Sequence, residues 1–510
     1  MDVANFSLAE ANAARKVVAK KQMNKIPELK QQVYEKINND NAANYIWEVA
    51  VAPQLGYAFS LNHSLPYSFV GIQTIYLAMT FNPIYWNTAC LIVNSGATDE
   101  EAGGSTDYGK IAKAIGDIQK AGIKVSLVDI NRSEYGFAPD IENNQILFGM
   151  KGLLNVGDDV IAEIINNRPY SSPRDFYNKV CPSKQAMISL IKSGAFDTME
   201  DRKFVMAWYI WETCAKKKRI TLQNMSALIN YGLTPEDTEE RINARRVFEF
   251  NRYLKTFCKS HEPGYYLMDE RTINFLNEID CGHMLDSDNI SWLLNIKAWE
   301  KVYQNWMDVL RLWINDNKDN ILQQLNSKIF QEDWNKYAAG TISAWEMEVM
   351  CFYYHEHELA HLNRNKYGFD NFYDLPEQPE IEKTFTKGAA TINMFKLHKI
   401  CGTCIAKDKA KSTVTLLTTD GVVTVKFRKE YFSLFDKQIS ERGDDGVKHV
   451  VEKSWFNRGN MIVVTGIRSE DNFISKKYAS TGGHQLYKIK EVLPNGEIIL
   501  QDKRHQGEAA

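Results

Sequence analysis

The 510 residues are 44% hydrophobic and 25% charged, a globular balance that excludes a disordered chain and is long enough for several domains. A formal charge of −3 excludes a uniformly basic nucleic-acid coat, leaving such contacts to local clusters: Arg15-Lys16 with Lys20-Lys21, or Lys216-Lys217-Lys218-Arg219. Eight scattered cysteines, no secretory pattern in the first twenty residues and no apolar run of membrane-spanning length predict a reducing, cytoplasmic setting with no membrane partner.

Ser7-Leu8-Ala9-Glu10 has the spacing of a capping box and predicts a helix from there to about Met23. Arg15, Lys16 and Lys20 project about one turn apart on it, as a solvated face or as a grip for anionic groups, where Arg engages two oxygens and Lys offers a point charge. Pro27 opens a second helix reaching Asn38. From Leu55 to Val93 a polar turn, Ser60-Leu61-Asn62-His63-Ser64, leads into a helix on which Tyr67, Val70, Thr74 and Leu77 recur at helical spacing; Asn82-Pro83 then breaks the chain before another helix. Asn62, His63 and Ser64 either cap that helix or present an amide, an imidazole and a hydroxyl to a ligand.

These residues carry a resemblance. Gly56-Tyr57-x-Phe59, His63-Ser64-x-x-Tyr67, then Ile72-Gln73-Thr74-x-Tyr76-Leu77 and Pro83 before an aromatic closely resemble the fingers of the bacterial C-family replicative DNA polymerases, the DNA polymerase III alpha subunits. Glu10-Ala11, Arg15-Lys16 and Lys20-Lys21 match the same family's basic fingers helix. The resemblance implies that Arg15, Lys16, Lys20, Lys21, His63, Ser64, Gln73 and Tyr76 face the incoming nucleoside triphosphate. None of them is a catalytic base by itself. Phosphoryl transfer needs metal-held oxygens in line, which polymerases arrange with palm carboxylates bridging two metals. The family's palm motif is Asp-x-Asp in a strand; the spacing found here, Asp286-Ser287-Asp288, reads instead as a helix-start turn before Ile290. No catalytic or metal-binding residue is therefore assigned, and Mg2+ is expected on a palm-bearing partner chain. The chain opens on fingers sequence, so the family's phosphatase-like domain, palm and thumb are expected outside it, through a split gene, as in some phage genomes, or through trimming.

Asn94 to Gly104 reads as a linker, Gly109 to Ala121 as a helix and Ile123 to Asp129 as a strand. The strand ends in Val128-Asp129-Ile130-Asn131-Arg132-Ser133, similar to the family's Pro-x-Asp-Ile-Asn-x-Ser segment with the proline lost. Ile146 to Arg168 reads as a helix-hairpin-helix whose turn, Asn155-Val156-Gly157, opens a helix burying Ile161, Ile164 and Ile165. Such a turn brings backbone N–H groups to a DNA phosphate without reading a base. Asn155 stands where the hairpin's first glycine is usual; Asn tolerates the left-handed conformation. Asp158 and Asp159 beside the turn oppose a phosphate, whereas Lys151 favours one. A second, weaker copy places Lys192, Ser193 and Gly194 in its hairpin. Both copies can be structural only, or grip duplex DNA where the family does.

Trp208 to about Lys336 reads as long, helical and aromatic-rich. Gln324, Leu325 and Phe330 occupy the place of the family's sliding-clamp peptide with looser spacing; an ordinary helix end is the alternative. Glu346 to Asn363 resembles a family segment in which Ser-Gly-His-Pro has become His355-Glu356-His357-Glu358. His357-Glu358-x-x-His361 also matches the letters of a zinc hydrolase, which needs one helix in a cleft and a third ligand. From Lys387 to Arg504 the pattern turns to short strands, with hairpin signals at Asp420-Gly421 and Asn495-Gly496. A small barrel is predicted, where the family has an oligonucleotide-binding fold. Phe427, Tyr431, Trp455 and Phe456 either stack bases or fill the core, with Lys426, Arg428 and Arg458 holding the strand's backbone. Cys401-x-x-Cys404 lacks a second pair, which favours neither zinc nor redox chemistry.

The expected protein is thus multidomain and mainly α, ending in an all-β oligonucleotide-binding barrel: fingers (1–93), a connecting segment (94–140), tandem helix-hairpin-helix (141–200), a helical region (201–385), the barrel (386–505) and a tail (506–510). The expected function is binding of nucleotide and primer-template in a split or truncated DNA polymerase; the rival is a DNA-binding accessory or regulatory protein derived from one.

Overall fold

A computed structural model describes residues 5–20, 22–55, 61–97, 106–215, 217–258, 263–287, 290–387, 390–442, 448–480 and 482–504. The chain forms two compact units, 1–87 and 88–510.

In the first unit α1 (Leu8–Ala19) begins as its sequence requires: the Glu10 N–H donates to Ser7 Oγ at 3.3 Å and the Ser7 N–H donates to Glu10 Oε2 at 2.9 Å. It ends at Ala19, a turn short of Met23. Helix α2 (Ile26–Lys36) carries Pro27 in its first turn, where a missing N–H costs nothing. Leu29, Val33, Ile37, Ala43 and Trp47 close a small core with Phe6. Helix α3 (Leu61–Thr80) already includes His63 and Ser64 in its first turn, so they do not form a turn ahead of it.

In the second unit α4 (Tyr108–Lys120) precedes a short parallel pairing of Lys124–Val125 with Gln145–Leu147; the strand anticipated over Ile123–Asp129 is only these two residues long. The Asp129 to Ser133 segment is instead a side-chain-stabilised turn: Asp129 Oδ1 accepts the Asn131 N–H at 2.8 Å, and Ser133 Oγ accepts the Asp129 N–H at 3.0 Å. Asn131 then fastens to both backbone groups of Tyr170, at 2.8 and 2.9 Å. Helices α5 (Asp158–Asn166), α6 (Lys184–Lys192) and α7 (Arg202–Ile210) make up the hairpin region.

The following region is less purely helical than its composition predicts. Helix α8 (Glu239–Phe257) packs on the 42-residue α9 (Ile296–Tyr337), with Trp299 Nε1 donating to the buried Asn251 Oδ1 at 3.0 Å. A three-stranded antiparallel sheet of Tyr265–Met268, Trp292–Asn295 and Leu285–Ser287 joins them. Asp286 and Ser287 therefore lie in a strand and not in a helix-start turn; Asp288 lies outside the described residues. Helix α10 (Ile342–Met350) ends on Cys351 at φ +63, the position where the family segment has glycine.

The barrel is built from β1 (His398–Asp408), β2 (Thr413–Leu417), β3 (Val422–Lys426), β4 (Met461–Ser469) and β5 (Asn472–Ser475), with α11 (Lys429–Asp436) between β3 and β4. Strands β1, β2 and β3 form an antiparallel meander, β4 pairs antiparallel with β1 and β5, and β5 returns parallel to β3. That cycle closes the sheet and leaves no open edge within it, the arrangement of an oligonucleotide-binding-like fold. Two further strands, β6 (Leu486–Val492) and β7 (Ile498–Gln501), extend from β4 through the predicted Asn495-Gly496 turn, where Gly496 has φ +78.

Candidate nucleic-acid interface

The first hairpin is an exposed surface feature. Asn155 adopts φ +62, so the side chain that replaces the usual glycine does take the left-handed turn. Val156 is buried beneath it, while Asn155 and Gly157 are exposed. Gly157 caps α5 in an extended conformation, and a Cβ built there would meet nothing within 4 Å. A helix start leaves its first N–H groups without intrahelical partners, which makes this open turn suited to an anion. The local charge works against it. Lys151 Nζ is held by both oxygens of Asp158 at 2.7 and 2.9 Å, and that hydrogen bond raises its pKa despite partial burial. Lys151 is thus already neutralised by a carboxylate, and Asp159 adds a second exposed negative charge.

The second hairpin is turned inward. Lys192 is 4% exposed and its Nζ donates to Glu348 at 2.5 Å, Ser193 is fully buried with its hydroxyl on the Leu190 carbonyl, and Gly194 (φ +80) packs against the Arg202 guanidinium. The expectation that these three hold DNA is not met by their side chains, because α10 and the segment after it cover them. Arg202 bonds Asp197 through Nε at 3.1 Å, the Lys192 carbonyl through Nη1 at 3.1 Å and Glu346 Oε1 at 3.1 Å. Glu346 is fully buried and also accepts the backbone N–H groups of Tyr354 and His355 at 3.0 Å each, with His355 Nδ1 at 2.6 Å. This network, which the spacing of residues does not reveal, bolts the hairpins to the segment leading into the barrel.

That same packing removes the zinc-hydrolase reading. His357 to His361 is a turn, not a helix. His357 Nδ1 accepts the Leu359 N–H at 3.0 Å, Nε2 lies 3.2 Å from the Leu417 carbonyl, and burial lowers its pKa to about 4. His361 pairs with Glu356 at 2.8 Å. Among the described residues no group of three His, Cys, Asp or Glu side chains could hold a metal ion. Cys401 and Cys404 are buried on β1, and burial pushes their thiols up to about 11 and about 12, which keeps them protonated.

In the barrel the aromatic alternatives resolve to the core. Phe427, Trp455 and Phe456 are buried in one cluster with Tyr431 packed against it, so no open face of these rings is left for bases. Lys426 and Arg428 are exposed at the end of β3. Arg458 instead stacks over the Tyr108 ring at 4.3 Å and donates to the Ile405 carbonyl at 3.3 Å, joining α4 to the barrel. The sequence reading missed a basic hollow of about 530 Å3 between the end of β1 and α11, where Lys407, Lys409, Lys429 and Lys437 surround Asp436. Burial raises the Asp436 carboxyl, but Lys407, Ser454 and Lys409 outweigh it and hold the group below its ordinary range. One carboxylate against four lysines leaves the hollow positive. The lysines come from two segments that only barrel closure brings together.

In the first unit Arg15, Lys16 and Lys20 are exposed on α1; Lys21 lies outside the described residues. Glu10 is engaged by Lys36 at 2.7 Å, which with Ser7 lowers its carboxyl to about 2, so it does not neutralise that basic row. His63, Gln73 and Tyr76 are exposed and Ser64 half-buried on α3. The proposed clamp segment is unavailable as a free peptide: Gln324 and Phe330 lie within α9, Leu325 is in the core, and Phe330 packs 5.9 Å from Trp211. No helix among the described residues is long and apolar enough to cross a membrane.

Comparison with known proteins places these features. The helix-hairpin-helix motif family matches residues 122–205. Over 99% of its length the chain is 38% identical to a probable DNA polymerase, YorL, of Bacillus subtilis (strain 168), and equally to a DNA-directed DNA polymerase of Bacillus phage SPbeta. Over 40% of its length it is 30% identical to a DNA polymerase III subunit alpha of Saccharopolyspora erythraea, covering 17% of that protein. The chain spans 40% of the length of the two Bacillus relatives. The resemblance to the C-family replicative polymerases is borne out by these relatives.

Proposed function

We propose that this chain forms the nucleotide- and DNA-binding part of a C-family replicative DNA polymerase, working with a separate palm-bearing chain in template-directed DNA synthesis. The observation that carries this reading is near full-length similarity to DNA polymerases, combined with an exposed hairpin and a closed barrel in family order. Arg15, Lys16, Lys20 and Lys21 attract the triphosphate, with His63, Ser64, Gln73 and Tyr76 shaping the nucleotide's surroundings. The Asn155-Val156-Gly157 turn offers backbone N–H groups to a duplex phosphate, and Lys426 and Arg428 with the Lys409, Lys429 and Lys437 hollow hold the strand by charge.

Carboxylates of the palm would hold Mg2+, which stabilises the attacking and leaving oxygens when bound. This chain's own residues bind and orient. Primer extension with Mg2+ and all four deoxynucleotides, using this chain, the palm-bearing chain, and both together, tests the reading. Extension only in the mixture is the expected result. DNA binding that persists in a mixture that does not extend primers would overturn it in favour of an accessory protein.

A further inference from the structure

Helix α3 is apolar on every side and almost nothing in the structure covers it. Ile72 is 63% exposed, Ile75 59% and Met79 82%, and Leu65, Phe69, Val70 and Leu77 around the rest of the circumference are also exposed. From Leu61 to Asn87 the chain carries no Asp, Glu, Lys or Arg. A helix that is hydrophobic all round belongs in an interior, and a surface helix would show one polar face. A continuous exposed apolar patch of this kind marks an interaction surface.

The occupant is constrained from three sides. The absence of charge gives a nucleic-acid backbone or a charged peptide nothing to pair with along α3, so the covering surface is itself apolar. The helix is exposed around its circumference, so the cover must wrap it rather than touch one stripe. Finally, almost all of this chain aligns to 40% of single-chain polymerases, whose larger remainder is therefore the protein that lies around this segment in them.

We infer that α3 is the docking element of this chain: it inserts as a whole helix into an apolar channel of the separate polypeptide that carries the rest of the polymerase. This rests on the proposed split polymerase and identifies which surface joins its two chains. The charged helix α1 stays outside that contact and remains free for the triphosphate. Insertion would also set the orientation of Gln73 and Tyr76, which lie on the same helix as the buried anchors.

The test uses the full chain and the polypeptide from the same genome that matches the remainder of the relatives, mixed and examined by sedimentation. The variants are the pair Ile72→Asp with Ile75→Asp, one turn apart on α3, and Arg15→Ala on α1 as a control. Because Ile72 and Ile75 are exposed here, circular dichroism of the double variant should match that of the parent. The expected result is a one-to-one complex for the parent and for Arg15→Ala, weakened about a hundredfold or more by the two aspartates. A parent complex that the aspartates leave intact overturns the docking inference while the split polymerase stands. No parent complex, together with no extension, removes the split polymerase itself. Self-association of the parent that the aspartates abolish would assign α3 to a second copy, and aspartate-sensitive flotation with phosphatidylcholine vesicles would assign it to a lipid surface; either overturns the inference.

Discussion

Replacing Arg202 by methionine tests whether the buried ionic network holds the hairpins in place. Methionine keeps most of the volume but leaves Glu346, with no exposed surface, facing an apolar chain, and strips Asp197 and the Lys192 carbonyl of their donor. Removing one partner of a buried pair costs about 3–5 kcal/mol, because the remaining charge stays desolvated. Glu346 keeps two backbone N–H donors and His355, so the lower end of that range is expected. The multidomain chain has no single unfolding free energy, and hydrogen exchange reads the local one. Amides in 184–210 and 342–355 should exchange about a hundredfold faster in Arg202→Met, with barrel amides unchanged. Adding Glu346→Gln should restore part of the protection, since the uncompensated charge goes. An acceleration below about tenfold, or strictly additive effects in the double variant, would show that the network contributes little to holding the hairpins.

The two hairpins should respond differently to charge. Asp158→Asn releases Lys151 and removes a negative charge beside the open turn, so duplex DNA affinity at low salt should rise about threefold by fluorescence anisotropy. Gly157→Glu should lower it about tenfold. Lys192→Ala should instead destabilise the fold by about 1–3 kcal/mol and leave DNA affinity unchanged once the folded fraction is matched. In the barrel, a methyl at position 466 would fall on the Ile474 carbonyl and against Phe473, so Gly466→Ala should cost about 3 kcal/mol by denaturant melting of the barrel. The pH dependence follows from His357, whose folded pKa of about 4 lies below its unfolded value. Between that value and about pH 6.5 the unfolded chain takes up the proton and the folded chain does not. Stability therefore falls as pH falls through this window, by about 3 kcal/mol in all. His357→Gln should flatten that slope; an unchanged slope would remove His357 as its cause.

The contrast between what was legible and what was not follows the range over which each feature is determined. The Ser7–Glu10 capping box, the left-handed turn at Asn155 and the Asp420-Gly421 and Asn495-Gly496 hairpins depend on a few neighbouring residues, and each stands as read. Phe427, Trp455 and Phe456 could not be settled that way. A ring that stacks on a base and a ring that fills a barrel have the same local pattern, and only closure of β5 onto β3 decides which side is inside. The second hairpin shows the same limit in a different form. Lys192-Ser193-Gly194 has the composition of a phosphate grip, yet its cover comes from Glu346 and Glu348, about 150 residues further along and themselves part of a segment with letters of a metal site.

Buried charge decides between these alternatives better than motif letters do. A lysine meant for DNA must keep its charge in water, where a phosphate can displace solvent, whereas Lys192 and Arg202 have their partners built in. The exposed lysines around Asp436 lie on the other side of that distinction, since one carboxylate cannot neutralise all four. The same reasoning separates α1 from α3: the basic row on α1 is solvated and unpaired by Glu10, whereas α3 has no charge to solvate. The helix whose motif carried the family resemblance is therefore the one whose physical chemistry is least consistent with open solvent, which ties recognition of the nucleotide to assembly with the chain that surrounds it.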